Sequence, residues 1–354
     1  MRAAADYSGA RQSVAALRER LSLPVFCAPM FLCSTAELAA ECCKAGIIGS
    51  LPAAQYRDAT EFEHQLSIIS ENLTRHLDSG SQVQAGPLAV NISASNDMAE
   101  FRLQAKMGRD HGAEIVVSSV SDPTAIAPVV QDLGMLHYHD VTNIRFAEKA
   151  AKAGVDGMIA IGAGGGGHAG TISHLALIPI IRAMFGGAVV MAGAVSTGTV
   201  VRAAEVLGAD LAYMGTRFIA TAESGAPEAY KAMLVESGVE DVIYTRGVNG
   251  MPASWLTKSL RSVGLDPDDL FIPAAKGTGH LPEGKMPWRD IWSGGQGVGL
   301  IRNIPKAAAL ITQLQREYVE ACKTPDLSAA AERALELVLE PFTEVAKPVT
   351  AGLG

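Results

Sequence analysis

The stretch GMIAIGAGGGGHAG, residues 157–170, joins a buried apolar run to four consecutive glycines and a histidine. Similar apolar runs end in glycine at two later points, AVVMAG over residues 188–193 and LAYMG over residues 211–215. These runs lack a strict alternation of apolar and polar residues, which is typical of strands buried on both faces of a parallel sheet. The region from 157 to 215 therefore predicts successive strand–loop–helix units.

Eight strands of this kind are predicted within the first 215 residues, and amphipathic helical patterns separate them. The predicted strands are Val25–Ala28, Ile47–Ser50, Leu88–Ile92, Glu114–Ser118, Met135–His139, Gly157–Ile161, Ala188–Gly193 and Leu211–Gly215. The predicted helices include Ser34–Ala45, Ala59–His76, Asp97–Met107, Asn143–Ala153 and Thr197–Leu207. In the first of these helices, Ser34 and Glu37 have the spacing of a capping box. Eight such units favour a (β/α)8 TIM barrel over an open sheet.

The regular alternation of predicted strands and helices ends after the eighth strand, and this point defines the boundary between the predicted domains. We expect residues 1–223 and 301–354 to form the barrel with its terminal helices, among them Ile304–Ala321 and Ser328–Val345. Residues 224–300 contain scattered glycine, proline and tryptophan. We expect this extension to be an insertion that covers the barrel mouth as a lid.

Composition and charge exclude several classes of protein. Hydrophobic residues make up 48% of the 354 residues and charged residues 19%, which excludes a disordered or fibrous chain. The net charge of −8 provides no basic surface for nucleic acid or an anionic membrane. Residues 157–181 carry no charged side chain, but their glycines, histidines and hydroxyl groups argue against a membrane span. Five cysteines without a CxxC pair, and a start without an apolar signal segment, predict a cytoplasmic protein with reduced thiols.

Candidate site residues occupy the loops after strands one, six, seven and eight, because TIM-barrel sites lie at the carboxyl ends of the strands. The small residues and proline of CAPM, residues 27–30, would let a flat ligand lie against the backbone. The glycines before His168 carry a large conformational entropy cost, which close approach of another group would offset. An imidazole at this point suits a proton acceptor. Gly193, Gly215 and Thr216 are typical of a phosphate-binding pair of loops.

His137 and His139 on the fifth strand raise a metal alternative, since residues i and i+2 face the same side of a strand. With His168 they could form a three-histidine site. A barrel metallohydrolase would also need an acid at the end of strand eight, where this chain has Met-Gly-Thr and where Asp210 lies at the strand's beginning. The sequence therefore favours no metal, and one of these histidines is expected to line the ligand pocket.

Six segments, in order from about residue 22 to 320, resemble the nitronate monooxygenase family, also called 2-nitropropane dioxygenases. They read CAPM, LAVNIS, AGVDGMIAIGAGGGGHAG, MAGAVSTG, LGADLAYMGTRFIAT and IWSGGQGVG. The resemblance implies an FMN-dependent barrel without a metal and places the catalytic base at His168. The predicted flavin-binding residues, from the loops and the resemblance together, are Ala28, Pro29, Met30, Asn91, Ser93, His139, Gly167, Gly193, Gly215, Thr216, Ser293, Gly294 and Gln296.

Two positions depart from the family's pattern. Many members have a glutamate in place of one glycine of Gly164–Gly167, and several have a lysine where this chain has Asp140. Without the positive charge of this lysine, the charge of the flavin or substrate would be balanced differently.

The implied function is oxidation of alkyl nitronates by O2 to a carbonyl compound and nitrite, extended to nitroalkanes if His168 removes their α-proton. The expected partners are therefore a small-molecule substrate and O2, without nucleic acid or membrane, and a homodimer is an open possibility. An alternative is an NAD(P)H-dependent FMN reductase acting on quinones or an enoyl thioester, because enoyl reductases of the flavin-barrel type look similar. The non-enzymatic alternative is a flavin-binding or partner-docking barrel, and His168 at the barrel mouth argues against it.

Overall fold

The computed structural model describes residues 8–119 and 121–323. The predicted helix Ser328–Val345 lies outside the described residues. The helix predicted at Ile304–Ala321 is present as Ala307–Lys323.

Eight parallel strands alternate with helices and confirm the predicted (β/α)8 barrel. In chain order the strands are β1 (Val25–Cys27), β2 (Gly49–Pro52), β3 (Leu88–Ser93), β4 (Ala113–Ser119), β5 (Leu136–Val141), β6 (Gly157–Ile161), β7 (Ala188–Ala192) and β8 (Leu211–Met214). Each strand from β2 onward pairs with the next, and β8 pairs with β1. The remaining gap between β1 and β2 is bridged where the N–H of Cys27 donates to the Ile48 carbonyl at 2.8 Å.

The helices of the barrel pack around the strands. They are α1 (Ser8–Glu19), α2 (Ala36–Lys44), α3 (Ala59–Asp78), α4 (Met98–Asp110), α5 (Ala127–Asp132), α6 (Ile144–Ala153), α7 (His174–Met184), α8 (Gly198–Leu207), α9 (Thr216–Ile219) and, after the insertion, α12 (Ala307–Lys323). The predicted capping box at Ser34 is wrong. Thr35 is the N-cap of α2 and accepts from the N–H of Leu38, whereas the Ser34 hydroxyl accepts from the N–H of Met30 in the preceding loop.

The interior of the barrel is filled by alternate residues of the strands. One buried cluster takes side chains from β1, β3, β4, β5, β6, β7 and β8, and it includes Phe26, Val117 and Tyr138. Val14 and Leu17 of α1 join this cluster and close the bottom of the barrel. Side chains alternate along a strand, so the residues two positions after these also point inward. They form the top layer of the barrel interior, and Asp140 after Tyr138 is one of them.

The segment between the barrel and α12 forms its own small elements. They are α10 (Glu228–Glu236), β9 (Val242–Thr245), β10 (Ala253–Leu256) and α11 (Thr257–Ser262), with β9 and β10 paired as an antiparallel hairpin. The hairpin is attached to the barrel where the N–H of Ser254 donates to the carbonyl of Gly167 at 2.9 Å.

The uncharged stretch 157–181 forms β6, a loop and most of α7. Across residues 8–119 and 121–323, no helix has the length and apolar character needed to cross a bilayer.

Candidate functional site

A cavity of about 1320 Å³ opens at the carboxyl ends of the barrel strands. Its floor is the top layer of the barrel interior, where Asn91, Asp140 and Tyr213 point upward, and its walls combine barrel loops with the insertion. Most of the predicted site residues line it together, namely Ala28, Pro29, Met30, Asn91, Ser93, His139, Gly167, His168, Gly193, Gly215, Thr216 and Ser293. Gly294 and Gln296 lie behind this lining, and the N–H of Gln296 donates to the Gly164 carbonyl at 2.9 Å.

The glycine loop after β6 is held at both of its edges. The Ser293 hydroxyl accepts from the N–H of Gly167 at 2.6 Å, and the carbonyl of Gly167 accepts from Ser254. Gly164 and Gly167 have φ of +86° and +65°, values that favour glycine. The loop is therefore an ordered platform for His168.

Close backbone packing explains the two glycines between these positions. A Cβ at Gly166 would lie 3.0 Å from the backbone nitrogen of Gly295 and 3.1 Å from Thr216 Oγ1. A Cβ at Gly165 would lie 3.1 Å from the Ala169 side chain. The predicted close approach is thus made by the chain itself, because the loop packs against residues 293–297 of the insertion.

His168 ends the glycine loop and is exposed to the cavity. Its ring lies edge-on to Trp288, with ring centroids 5.3 Å apart, and Asn249 Nδ2 is 3.5 Å from Nε2. Because an amide nitrogen can only donate, Nε2 is the acceptor in this arrangement and carries the lone pair. Although the residue is open on the cavity side, burial of its ring and then the charge of Lys276 lower the pKa of His168. The imidazole is therefore neutral at pH 7 and able to accept a proton.

The loops after β7 and β8 form a small polar recess next to the glycine loop. Gly193 has φ of +114°, and a Cβ there would lie 3.0 Å from both Gly165 N and His174 Nε2. The Thr216 hydroxyl accepts from the N–H of Gly295 at 3.0 Å, which leaves its own hydrogen free to donate. Ser196 Oγ is buried beside this recess and has no hydrogen-bond partner among the described residues.

The two histidines of β5 serve a buried network on the opposite side of the strand from Tyr138. Ser118 Oγ lies 2.7 Å from His137 Nε2 and 2.7 Å from His139 Nδ1. Burial lowers the pKa of His137 to about 3 and that of His139 to about 4, so both rings are neutral. His139 lies with Asp122 and Lys149 in one part of the cavity, here called its outer lobe, whereas His168 lies on the glycine loop. Within residues 8–119 and 121–323, no group of three or more histidine, cysteine or acidic side chains could hold a metal ion.

Several residues of the cavity wall were not predicted from the sequence. Trp288, with φ of +63°, packs against both His168 and Trp255, and the Tyr244 hydroxyl donates to the Ala169 carbonyl. The residue after Lys276 is joined to Asn249, since the N–H of Gly277 donates to the Asn249 carbonyl at 3.0 Å. These residues belong to the irregular insertion, where no periodic pattern indicates which side chains face inward.

Comparison with known proteins agrees with this arrangement. The family model described as nitronate monooxygenase matches residues 16–317. The chain belongs to the nitronate monooxygenase family. A nitronate monooxygenase of Paraburkholderia phytofirmans is 26% identical, over 84% of this chain and 93% of that protein. Family membership makes this chain a flavin oxidoreductase.

The chain is also similar to proteins with other names. A Mycobacterium tuberculosis protein named (3aS,4S,5R,7aS)-5-hydroxy-7a-methyl-1-oxo-octahydro-1H-indene-4-carboxyl-CoA dehydrogenase is 29% identical over 47% of each chain. Among solved structures, a nitroalkane oxidase of Streptomyces ansochromogenes aligns with a TM-score of 0.69 at 24% identity, over 87% of this chain and 99% of that one. FabK of Thermotoga maritima aligns with a TM-score of 0.66 at 23% identity, over 88% and 97%. These two structures support the fold.

Proposed function

We propose that this protein is an FMN-dependent enzyme that oxidises alkyl nitronates with O2 to a carbonyl compound and nitrite, and that also accepts neutral nitroalkanes. The observation that carries the proposal is His168, a neutral imidazole held on an ordered glycine loop and facing a large cavity. The nitronate as substrate is supported by the family, nitronate monooxygenase, and by the Paraburkholderia relative of the same name.

The residues of the cavity fit FMN. The recess between Gly193, Ser196 and Thr216 offers the Thr216 hydroxyl, whose free hydrogen suits a phosphate oxygen, and the unpaired Ser196 Oγ lies just beneath its surface. Gly215 is not crowded by the protein, since a Cβ there would make only van der Waals contacts, at 3.6 Å with the Ala28 side chain and 3.7 Å with Met30 Sδ. A dinucleotide such as FAD is disfavoured because no GxGxxG turn follows an early strand. The chemistry that FMN supplies when bound is the acceptance of electrons from the substrate.

The protein's own contribution is proton transfer and orientation. His168 accepts the α-proton of a neutral nitroalkane at Nε2, which gives up its 3.5 Å contact with Asn249 when the substrate binds, while Trp288 keeps the ring in place. A nitronate has already lost this proton, so His168 would act on it only by orientation. Lys276 lines the same part of the cavity and provides positive charge for an anionic substrate.

A cofactor and turnover experiment tests the proposal. Heat denaturation of the purified protein should release a compound that co-migrates with FMN. Addition of a propyl or ethyl nitronate should consume O2 and yield nitrite. Release of FAD, or a colourless protein that takes up no FMN, would refute the cofactor. A bound FMN without nitronate turnover would refute the substrate alone.

A second candidate is an NAD(P)H-dependent FMN reductase that acts on quinones or an enoyl thioester. It is favoured by the cavity volume, about 1320 Å³, which exceeds the range of about 300–1,000 Å³ that is usual for ligand pockets. It is also favoured by the similarity to the Mycobacterium protein, which is named as a carboxyl-CoA dehydrogenase. Anaerobic mixing with NADH or NADPH discriminates the two, because a reductase bleaches the flavin and a nitronate oxidase does not.

A further inference from the structure

A buried carboxyl on the cavity floor is left without a partner by the protein. Asp140 lies two residues beyond Tyr138 on β5, so its side chain also points into the barrel, and it lines the cavity. Its Oδ1 atom is buried and has no hydrogen-bond partner among the described residues. Buried polar atoms are nearly always hydrogen-bonded, so this oxygen requires an explanation.

The surroundings of Asp140 show why the carboxyl stays unpaired. The Asn91 amide on β3 donates one N–H to the Val117 carbonyl at 3.2 Å and makes no hydrogen bond to Asp140. His139 points to the other side of β5, where Ser118 binds it. Tyr213 on β8 is close enough that burial and then the charge of Asp140 raise its pKa.

No cation of the described chain compensates the charge of Asp140, and burial alone raises its pKa to about 7. The Asp140 carboxyl therefore borders the cavity with its Oδ1 just below the floor, and no donor among the described residues meets that oxygen. A ligand that satisfies this carboxyl from the cavity side must supply an N–H or O–H group.

We propose that Asp140 accepts a hydrogen bond from the bound flavin and lowers the flavin's reduction potential. This proposal rests on the assignment of FMN to the cavity. The isoalloxazine ring carries an imide N–H and the ribityl chain carries hydroxyls, and these are donors of the kind that the Asp140 carboxyl lacks. A carboxylate in a poorly solvated floor also opposes the negative charge that a flavin gains on reduction, so it favours the oxidised form.

The test compares the holoenzyme with the variants Asp140→Asn and Asp132→Asn. The first substitution replaces the carboxylate by an isosteric, neutral amide. Asp132 is an exposed carboxylate at the end of α5, which makes it a matched control for the loss of one charge. The reduction potential and the FMN dissociation constant are measured at a pH well above the pKa of Asp140. We expect Asp140→Asn to strengthen binding of reduced relative to oxidised FMN about 10-fold, a rise of about 30 mV in potential. The control should match the wild type.

Each result of this experiment bears on the proposal. If Asp140→Asn does not fold or does not retain FMN, the same two measurements are made on Asp140→Ser, a second neutral side chain. A potential and an affinity equal to those of the control overturn the proposal. Wild-type protein that binds FMN but does not oxidise nitronates refutes the proposed substrate and still permits the Asp140 comparison. Wild-type protein that takes up no FMN refutes both.

Discussion

The Ser293 hydroxyl lies 2.6 Å from the backbone nitrogen of Gly167 and accepts its hydrogen bond, although the two residues are 126 positions apart. The same hydroxyl donates to the Ser254 carbonyl at 2.9 Å. One small side chain therefore joins the insertion, the hairpin and the loop that carries His168. Both hydrogen-bonding functions of this hydroxyl are used inside the protein, so Ser293 holds its neighbours together within the cavity wall.

Replacing Ser293 by Ala should destabilise the protein and loosen His168. The N–H of Gly167 would lose its acceptor, at a cost of about 1–3 kcal/mol. The melting temperature should fall by about 2–4 °C for each kcal/mol lost. Turnover of neutral nitroalkane should also fall. Ser262→Ala is the control, because that hydroxyl only donates to the Ser259 carbonyl within α11. Equal melting temperatures for the two variants would contradict the role given to Ser293.

Replacing His168 by Asn should separate proton removal from substrate binding. General base catalysis contributes about 10²–10⁴-fold, so turnover of neutral nitroalkane should fall by that factor. Oxidation of a preformed nitronate should fall much less, and FMN should stay bound. Steady-state rates with both substrate forms provide the measurement. Equal losses for both would mean that His168 orients the substrate or stabilises charge.

Replacing Lys276 by Met should move the pH profile of the nitroalkane reaction. The charge of Lys276 lowers the pKa of His168, so its removal lets that pKa rise. Because the reaction needs the neutral imidazole, the acidic limb of the rate profile should shift to higher pH. The KM for nitronate should rise, since a positive charge is lost from the cavity.

Lys149→Met is the matched control for Lys276. Lys149 lines the outer lobe of the cavity, where it pairs with Asp122 at 3.6 Å. Its removal should leave the acidic limb in place. If both lysine variants move the limb equally, the effect comes from the overall charge and Lys276 has no special position.

Gly215 should tolerate a methyl group and reject a carboxylate. A Cβ there would make only ordinary contacts at 3.6–3.8 Å with Ala28 and Met30, so Gly215→Ala should fold and keep FMN. Gly215→Asp should abolish FMN binding, because its charge would oppose the phosphate. Equilibrium titration of both variants with FMN measures the difference. Normal affinity in the Asp variant would move the phosphate to another part of the cavity.

The cysteines should be dispensable for catalysis. Cys27, Cys33, Cys42 and Cys43 are buried and only Cys322 is exposed. Burial raises the pKa of Cys33 and that of Cys43 to about 12, which removes the reactive thiolate at neutral pH. Native protein should take up one equivalent of iodoacetamide and keep its turnover. Rapid inactivation that substrate prevents would instead make Cys27 or Cys33 a site residue.

The barrel could be predicted because aliphatic runs such as Gly157–Ile161 have one stable environment, a sheet covered on both faces. Details that depend on competing hydrogen bonds could not be predicted from the sequence. Ser34 and Thr35 are both capping residues by type, and the turn after β1 decides that Thr35 caps α2 while Ser34 binds the Met30 backbone.

The candidate site, too, could be predicted only in part from the sequence. Loops after the strands indicated His168, Gly193 and Thr216, because the ends of barrel strands converge. Trp288 and Lys276 lie more than a hundred residues from His168 in an irregular segment, so only the folded chain brings them to the imidazole.

The hydrogen bond from Ser254 to Gly167 limits how the insertion can be exchanged between related enzymes. The hairpin β9–β10 continues the backbone of the glycine loop as an added strand would, so the two segments form one hydrogen-bonded unit. In this chain the insertion packs directly against Gly164 and Gly166, which have no side chains. An insertion taken from a relative whose loop has a side chain at one of these positions would not fit closely against them. Grafts that carry the loop and the insertion together should fold, whereas grafts of the insertion alone should lose the ordered histidine.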